Sequence, residues 1–136
     1  MNEPALAPSV AHMICIMVVD DQRAMRAIVR QLLSQQGMEN VIEAENGLHA
    51  MKIMGLPDAQ KPDVIICDLH MDGMDGMEFV HQLRRAKNQT PVLILTGDRN
   101  EFLHEVTEQA GASKVLTKPI SAPDLASEIH VAIGAR

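Results

Sequence analysis

The chain has 136 residues, a formal net charge of −6, 46% hydrophobic and 22% charged residues. Those values fit one globular domain. They exclude the clustered Lys and Arg that a nucleic-acid or anionic-membrane surface needs, and no stretch reaches the roughly 20 apolar residues of a transmembrane helix.

Residues 1–12 are rich in Ala and Pro and carry no hydrophobic pattern, so a flexible tail is expected before a domain spanning 13–136. No basic region followed by an apolar run marks a signal peptide, and a cytoplasmic protein is expected. From Ile14 to Val19 runs a continuous apolar segment, the mark of a strand buried on both faces of a parallel sheet. Met25, Ile28, Val29, Leu32 and Leu33 follow at helical spacing, with Gly37 placed to stop the helix. A short strand over Val41–Ala44 precedes a helix from Leu48 to Leu56 that Pro57 ends. Val64–Cys67 reads as a second fully buried strand, and Met77, Val80, His81 and Arg84 as a short helix, with His81 at the edge of the core. Strands are expected over Val92–Leu95 and Lys114–Thr117, and helices over Phe102–Ala110 and Leu125–Ile133, the last with Ser121 as its N-cap. Cys15 and Cys67 lie inside apolar runs and read as buried reduced thiols. Arg84, Arg85 and Lys87 form a small basic patch that suits a helix C-terminus.

Five strand–helix units imply a parallel sheet with helices on both faces. Ligand sites in such sheets lie beyond the C-terminal strand ends. Asp20 and Asp21 follow the first strand, Asp68 the third, Thr96 the fourth, and Lys118 with Pro119 the fifth. Three carboxylates at one edge repel one another unless one is protonated or a cation sits among them. Oxygen ligands suit a hard cation, and Mg²⁺ is typically held by one or two carboxylates together with waters and phosphate oxygens. Lys118 and Thr96 can bond phosphoryl oxygens, and Gly97 leaves room for the group. This is equipment for attack of a carboxylate on phosphorus.

Two other site readings fail on the residues. Asp68–Phe79 has the start of a calcium loop, but Phe79 stands where a bidentate Glu is needed and His70 at the third position is a poor ligand. A nucleotide or flavin binder needs a Gly-rich or hydroxyl-rich loop after the first strand, where this chain places two acids.

Val18-Val19-Asp20-Asp21, Ile65-Ile66-Cys67-Asp68-Leu69, Met74-Asp75-Gly76, Leu95-Thr96-Gly97 and Lys118-Pro119 together resemble the response-regulator receiver family, over about residues 13–134. Asp20-Asp21-Gln22-Arg23-Ala24-Met25-Arg26 and Ala110-Gly111-Ala112-Ser113 are similar to its CheY type. The resemblance implies a flavodoxin-like α/β fold, a five-stranded parallel sheet of order 2-1-3-4-5 with five helices on both faces. It implies Asp68 as phosphoacceptor, Thr96 and Lys118 as the pair that contacts the phosphoryl group, and Mg²⁺ held by Asp20, Asp21, Asp68 and the backbone carbonyl of His70. The donor would be a histidine kinase or phosphotransfer protein, and the output a downstream protein target. The domain would catalyse only its own phosphorylation and dephosphorylation.

Four positions depart from or refine that pattern. Asp72 stands where the family commonly has Pro, which removes a fixed φ, adds a charge and predicts a more mobile loop and altered Mg²⁺ binding. Val115 stands where the family often has an aromatic, so no aromatic rotamer switch is available there. Asp98 and His70 occupy positions that tune the lifetime of the phosphorylated state in the family. Alternatives are a phosphate sink, a phosphorylation-independent binding module, and a small aspartate-nucleophile phosphatase. The last lacks its second Asp, because His70 stands there.

Overall fold

The computed structural model describes residues 13–134; the tail expected over 1–12 lies outside them, as do residues 135 and 136. The elements are β1 (Ile16–Val19), α1 (Arg23–Ser34), β2 (Val41–Ala44), α2 (Gly47–Met54) and β3 (Val64–Cys67), then α3 (Gly76–Arg85), β4 (Val92–Thr96), α4 (Glu101–Gln109), β5 (Lys114–Thr117) and α5 (Ala122–Gly134). All strand pairs are parallel, in the order β2-β1-β3-β4-β5. The fold expected from the sequence is the fold observed.

The apolar runs are continuous because both faces of the sheet are covered. Ile16, Val18, Val64, Ile66, Leu93 and Leu95 point to one side, against Val29 and Leu33 of α1 and Leu125 and Ile129 of α5. Met17, Val19, Ile65, Cys67 and Ile94 point to the other, against Ala50 and Met54 of α2 and Phe79, Val80 and Leu83 of α3. Strand residues alternate sides with period two, so along β1 and β3 both sides take apolar residues.

Helix ends follow local chemistry. Asn46, Asp75 and Asn100 cap α2, α3 and α4 through their side-chain oxygens. Ser121 Oγ accepts from Asp124 N at 3.2 Å, as expected of the last cap. Gly37 stops α1 at φ 78°, with Gly37 N donating to Ser34 O and Met38 N to Leu33 O, a Schellman closure.

Two side-chain placements differ from the sequence expectation. Ile28 is 50% exposed, because α1 turns Val29 and Leu33 to the sheet. His81 is exposed rather than at the core edge, because Phe79, Val80 and Leu83 carry the buried face of α3.

Arg84 has a structural task beyond the helix dipole. Its Nε and Nη2 donate to Gly111 O at 3.2 and 2.9 Å, and its Nη1 to Asn88 O and Thr90 O at 2.8 and 2.9 Å. The guanidinium thereby ties the end of α3 to the loops before β4 and β5. Arg84→Ala leaves three carbonyls without this donor and is expected to cost about 2–3 kcal/mol in urea unfolding.

Candidate functional site

The ends of β1, β3, β4 and β5 deliver the site. Asp20 leaves β1 with its N–H on Ala44 O, and Asp68 leaves β3 with its N–H on Val19 O. Both carboxylates therefore emerge at the same level of the sheet, and Asp21 follows directly. One carboxylate oxygen from each of Asp20, Asp21 and Asp68 lies within 4.8 Å of the others.

Asp20 is buried. Its Oδ1 accepts from Gln22 N at 2.8 Å, and its carbonyl accepts from Arg26 Nη1 at 2.7 Å. Arg26 is itself held by Glu43 of β2 at 2.9 Å. Burial holds the Asp20 carboxyl above its ordinary range; the Gln22 N–H and Lys118 pull it down, while Asp68 and Asp21 push it further up. Asp21 is exposed, and its Oδ2 accepts from Asp72 N at 3.1 Å.

Lys118 Nζ stands 3.8 Å from Asp68 Oδ1 and 4.0 Å from Asp20 Oδ2. Its backbone N–H donates to Thr96 O at 2.7 Å, which places the Lys at the end of β4 as well as β5. The bond between Lys118 and Pro119 is cis. Thr96 is buried, and its Oγ1 accepts from Asp98 N at 3.1 Å. Three carboxylates cluster here and Lys118 reaches two of them, Asp20 and Asp68, so the cluster carries an excess of negative charge over that one ammonium. A divalent cation with oxygen ligands fits that excess and that donor set.

Gly76 brings the next helix onto the site. A Cβ there would run into the Asp68 carbonyl oxygen and stand 2.9 Å from Leu69 Cα. At Gly97 a Cβ would meet open space, in line with room for a group beside Thr96. The thiol next to Asp68 is no competing nucleophile. Cys67 is fully buried and unbridged, and burial, then the charges of Asp68 and Asp20, push its thiol well above its ordinary range.

The model of the response regulator receiver domain matches residues 16–130. The chain belongs to that family. A protein named probable chemotaxis protein CheY, from Rhizobium etli, is 32% identical to this receiver domain over 129 residues, covering 93% of this chain and 98% of its own. The alkaline phosphatase synthesis transcriptional regulatory protein PhoP of Bacillus subtilis is 35% identical over 106 residues, 78% of this chain but only 42% of its own. Among solved structures, chemotaxis protein CheY4 of Vibrio cholerae superposes with a TM-score of 0.75 at 28% identity, covering 88% of this chain and 98% of that one. A response regulator receiver domain protein from Clostridium thermocellum reaches a TM-score of 0.80 at 27% identity, covering 90% and 95%.

In this receiver domain Asp20, Asp21, Asp68 and Lys118 meet as their strand positions predict, and Thr96 sits at the neighbouring strand end. Val115 is half-buried in β5 with its N–H on Glu108 Oε2. Other contacts had no sequence signal. His70 Nε2 lies 2.8 Å from Asp98 Oδ2, joining the loop after β3 to the loop after β4. His104 Nε2 contacts Asp98 O at 2.5 Å, which extends the link into α4. The Asn100 N–H, and after it His70, hold the Asp98 carboxyl below its ordinary range. Arg26 and the Asp72 amide are likewise partners of the acid pair that side-chain pattern alone did not mark.

Proposed function

We propose that this domain is a CheY-like response regulator whose Asp68 accepts a phosphoryl group from the phosphohistidine of a histidine kinase or phosphotransfer protein. The observation that carries the reading is the meeting of three carboxylates and Lys118 at one sheet edge. The family membership and the likeness to a CheY protein over nearly the whole chain support it.

In this reading an Asp68 oxygen attacks phosphorus as the P–N bond breaks. The imidazole leaves with the electron pair, and an acyl phosphate forms on Asp68. Asp20, Asp21, Asp68 and the carbonyl of His70 would hold a Mg²⁺, which would neutralise charge on the phosphoryl oxygens. Lys118, within 4.0 Å of two carboxylates, trades one of them for a phosphoryl oxygen. The Thr96 hydroxyl accepts from Asp98 N and keeps its own proton to donate to another. Movement of Thr96 toward the phosphoryl group draws on the loop from Thr96 to Asn100 and on α4, so the modified state differs at the α4–β5 surface. Output is by contact with a downstream protein target, in the cytoplasm, and the domain turns over no metabolite. No helix among the described residues is long and apolar enough to cross a membrane, which is compatible with that setting. The family match over residues 16–130 supports reading the described residues as one receiver unit.

Transfer of label from a phosphorylated histidine kinase to the wild type, and not to Asp68→Asn, tests the chemistry. Affinity capture with phosphorylated protein against Asp68→Ala then tests the output. Enrichment of a partner supports it, and none supports a phosphate sink.

The His70–Asp98 contact joins the loop that follows Asp68 to the loop after β4. Opening it by His70→Ala or Asp98→Ala is expected to let water reach phosphorus and to speed loss of the phosphoryl group. Decay followed by intact mass checks this; unchanged decay in both variants removes the role.

A further inference from the structure

Of the three clustered carboxylates, two are held by their surroundings. Asp20 is buried and bonded to Gln22 N, and Asp68 is largely covered at the end of β3 and faces Lys118. Asp21 is exposed, and an exposed carboxylate on a turn rotates freely unless something holds it. The hydrogen bond that reaches it across the cluster comes from the backbone of residue 72, with Asp72 N donating to Asp21 Oδ2 at 3.1 Å. The Asp72 side chain is exposed.

The loop that carries this donor is itself constrained. It leaves β3 at Asp68 and returns at Gly76, whose N–H donates to Leu69 O at 2.8 Å. Gly76 lies against the backbone of Asp68 too closely for a Cβ. Gly73, directly after the donor, has φ 79°. The segment from 69 to 76 is therefore a short closed loop with its base on the acceptor and its outer edge on Asp21.

We infer that the backbone amide of Asp72 is a positioning group for Asp21: it orients that carboxylate toward the cation site. The inference rests on the proposed Mg²⁺-dependent reading of the site and adds a residue to it. A carboxylate oxygen accepts more than one partner, so the amide bond and metal ligation are compatible on one oxygen. Outer hydrogen bonds of this kind fix the direction of ligands and tune affinity. Here the donor is main chain, so any residue at 72 except proline supplies it. The negative side chain of Asp72 is not required for this task.

Asp72→Ala and Asp72→Pro remove the same charge, but only the second removes the N–H. Mg²⁺ affinity by calorimetry is expected to be about tenfold weaker in Asp72→Pro than in Asp72→Ala, the low end for losing an outer hydrogen bond to a metal ligand. A second readout needs no metal. Hydrogen exchange at the Asp72 amide should be slow in the metal-free wild type and fast in Asp21→Ala, with the amides of β3 and β4 unchanged. Equal affinities in the two position-72 variants, or an Asp72 amide indifferent to Asp21→Ala, overturn the inference while leaving the receiver reading intact. A wild type that shows no Mg²⁺ binding overturns both.

Discussion

Asp20→Asn is expected to stabilise the metal-free protein by about 1 kcal/mol at neutral pH while abolishing its response to Mg²⁺. Asp20 is buried beside two other carboxylates, and its carboxyl is held above the ordinary range chiefly by burial. A folded-state pKa above the unfolded value means that the charged form is disfavoured in the fold. Stability from this group is fully present below the unfolded pKa and is lost as pH rises through the folded pKa. Above its raised pKa the wild type therefore carries the penalty of a buried charge, and Asn removes it. The gap between the two proteins should close as the pH is lowered through the raised Asp20 pKa toward the ordinary carboxylate range. Mg²⁺ reverses the order. At a hundred times its dissociation constant it should stabilise the wild type by about 2.7 kcal/mol, and the variant should not respond. Thermal unfolding with and without the ion reads both effects. A variant less stable than the metal-free wild type would show that Asp20 is held by favourable contacts instead of strained by the cluster.

Gly76→Ala should damage the site from behind. The new Cβ meets the Asp68 carbonyl oxygen, Leu69 Cα at 2.9 Å and Asp68 C at 3.2 Å, all of them backbone. None is the movable end of a side chain, so either α3 or the acceptor must shift. Overpacking of this kind costs about 1–3 kcal/mol. The larger effect is on reaction, because displacing a nucleophile by about 1 Å can cost about a hundredfold in rate. Phosphorylation by a small-molecule donor, followed by mass, should slow by about that factor while the far-ultraviolet dichroism stays native. A rate equal to the wild type would mean that α3 yields and Asp68 does not.

The site was legible because its side chains lie at strand ends. β1, β3 and β4 are unbroken apolar runs, so the first polar residue after each marks the sheet edge, and Asp20, Asp68 and Thr96 were found that way; Lys118 follows the mixed strand Lys114–Thr117. The side-chain pattern does not show which partners hold those groups. His70 and Asp98 are 28 residues apart, and nothing in either segment points at the other. The Asp72–Asp21 bond uses a main-chain donor, which has no residue-type signature at all. A missing Pro read as a looser loop; in the fold the same change supplies the N–H that reaches Asp21. Ile28 and His81 show a different limit. Helical spacing places several residues near one stripe, and only packing on the sheet decides that Val29, Phe79 and Leu83 take the buried places.

The most direct test of the account is intact mass after incubation with a small-molecule phosphodonor, with and without Mg²⁺. The account predicts a gain of one phosphoryl group that needs Mg²⁺, is released by hydroxylamine and is absent in Asp68→Asn. No gain with that donor or with any phosphorylated histidine kinase would contradict it. The protein would then be a phosphorylation-independent binding module on a receiver fold.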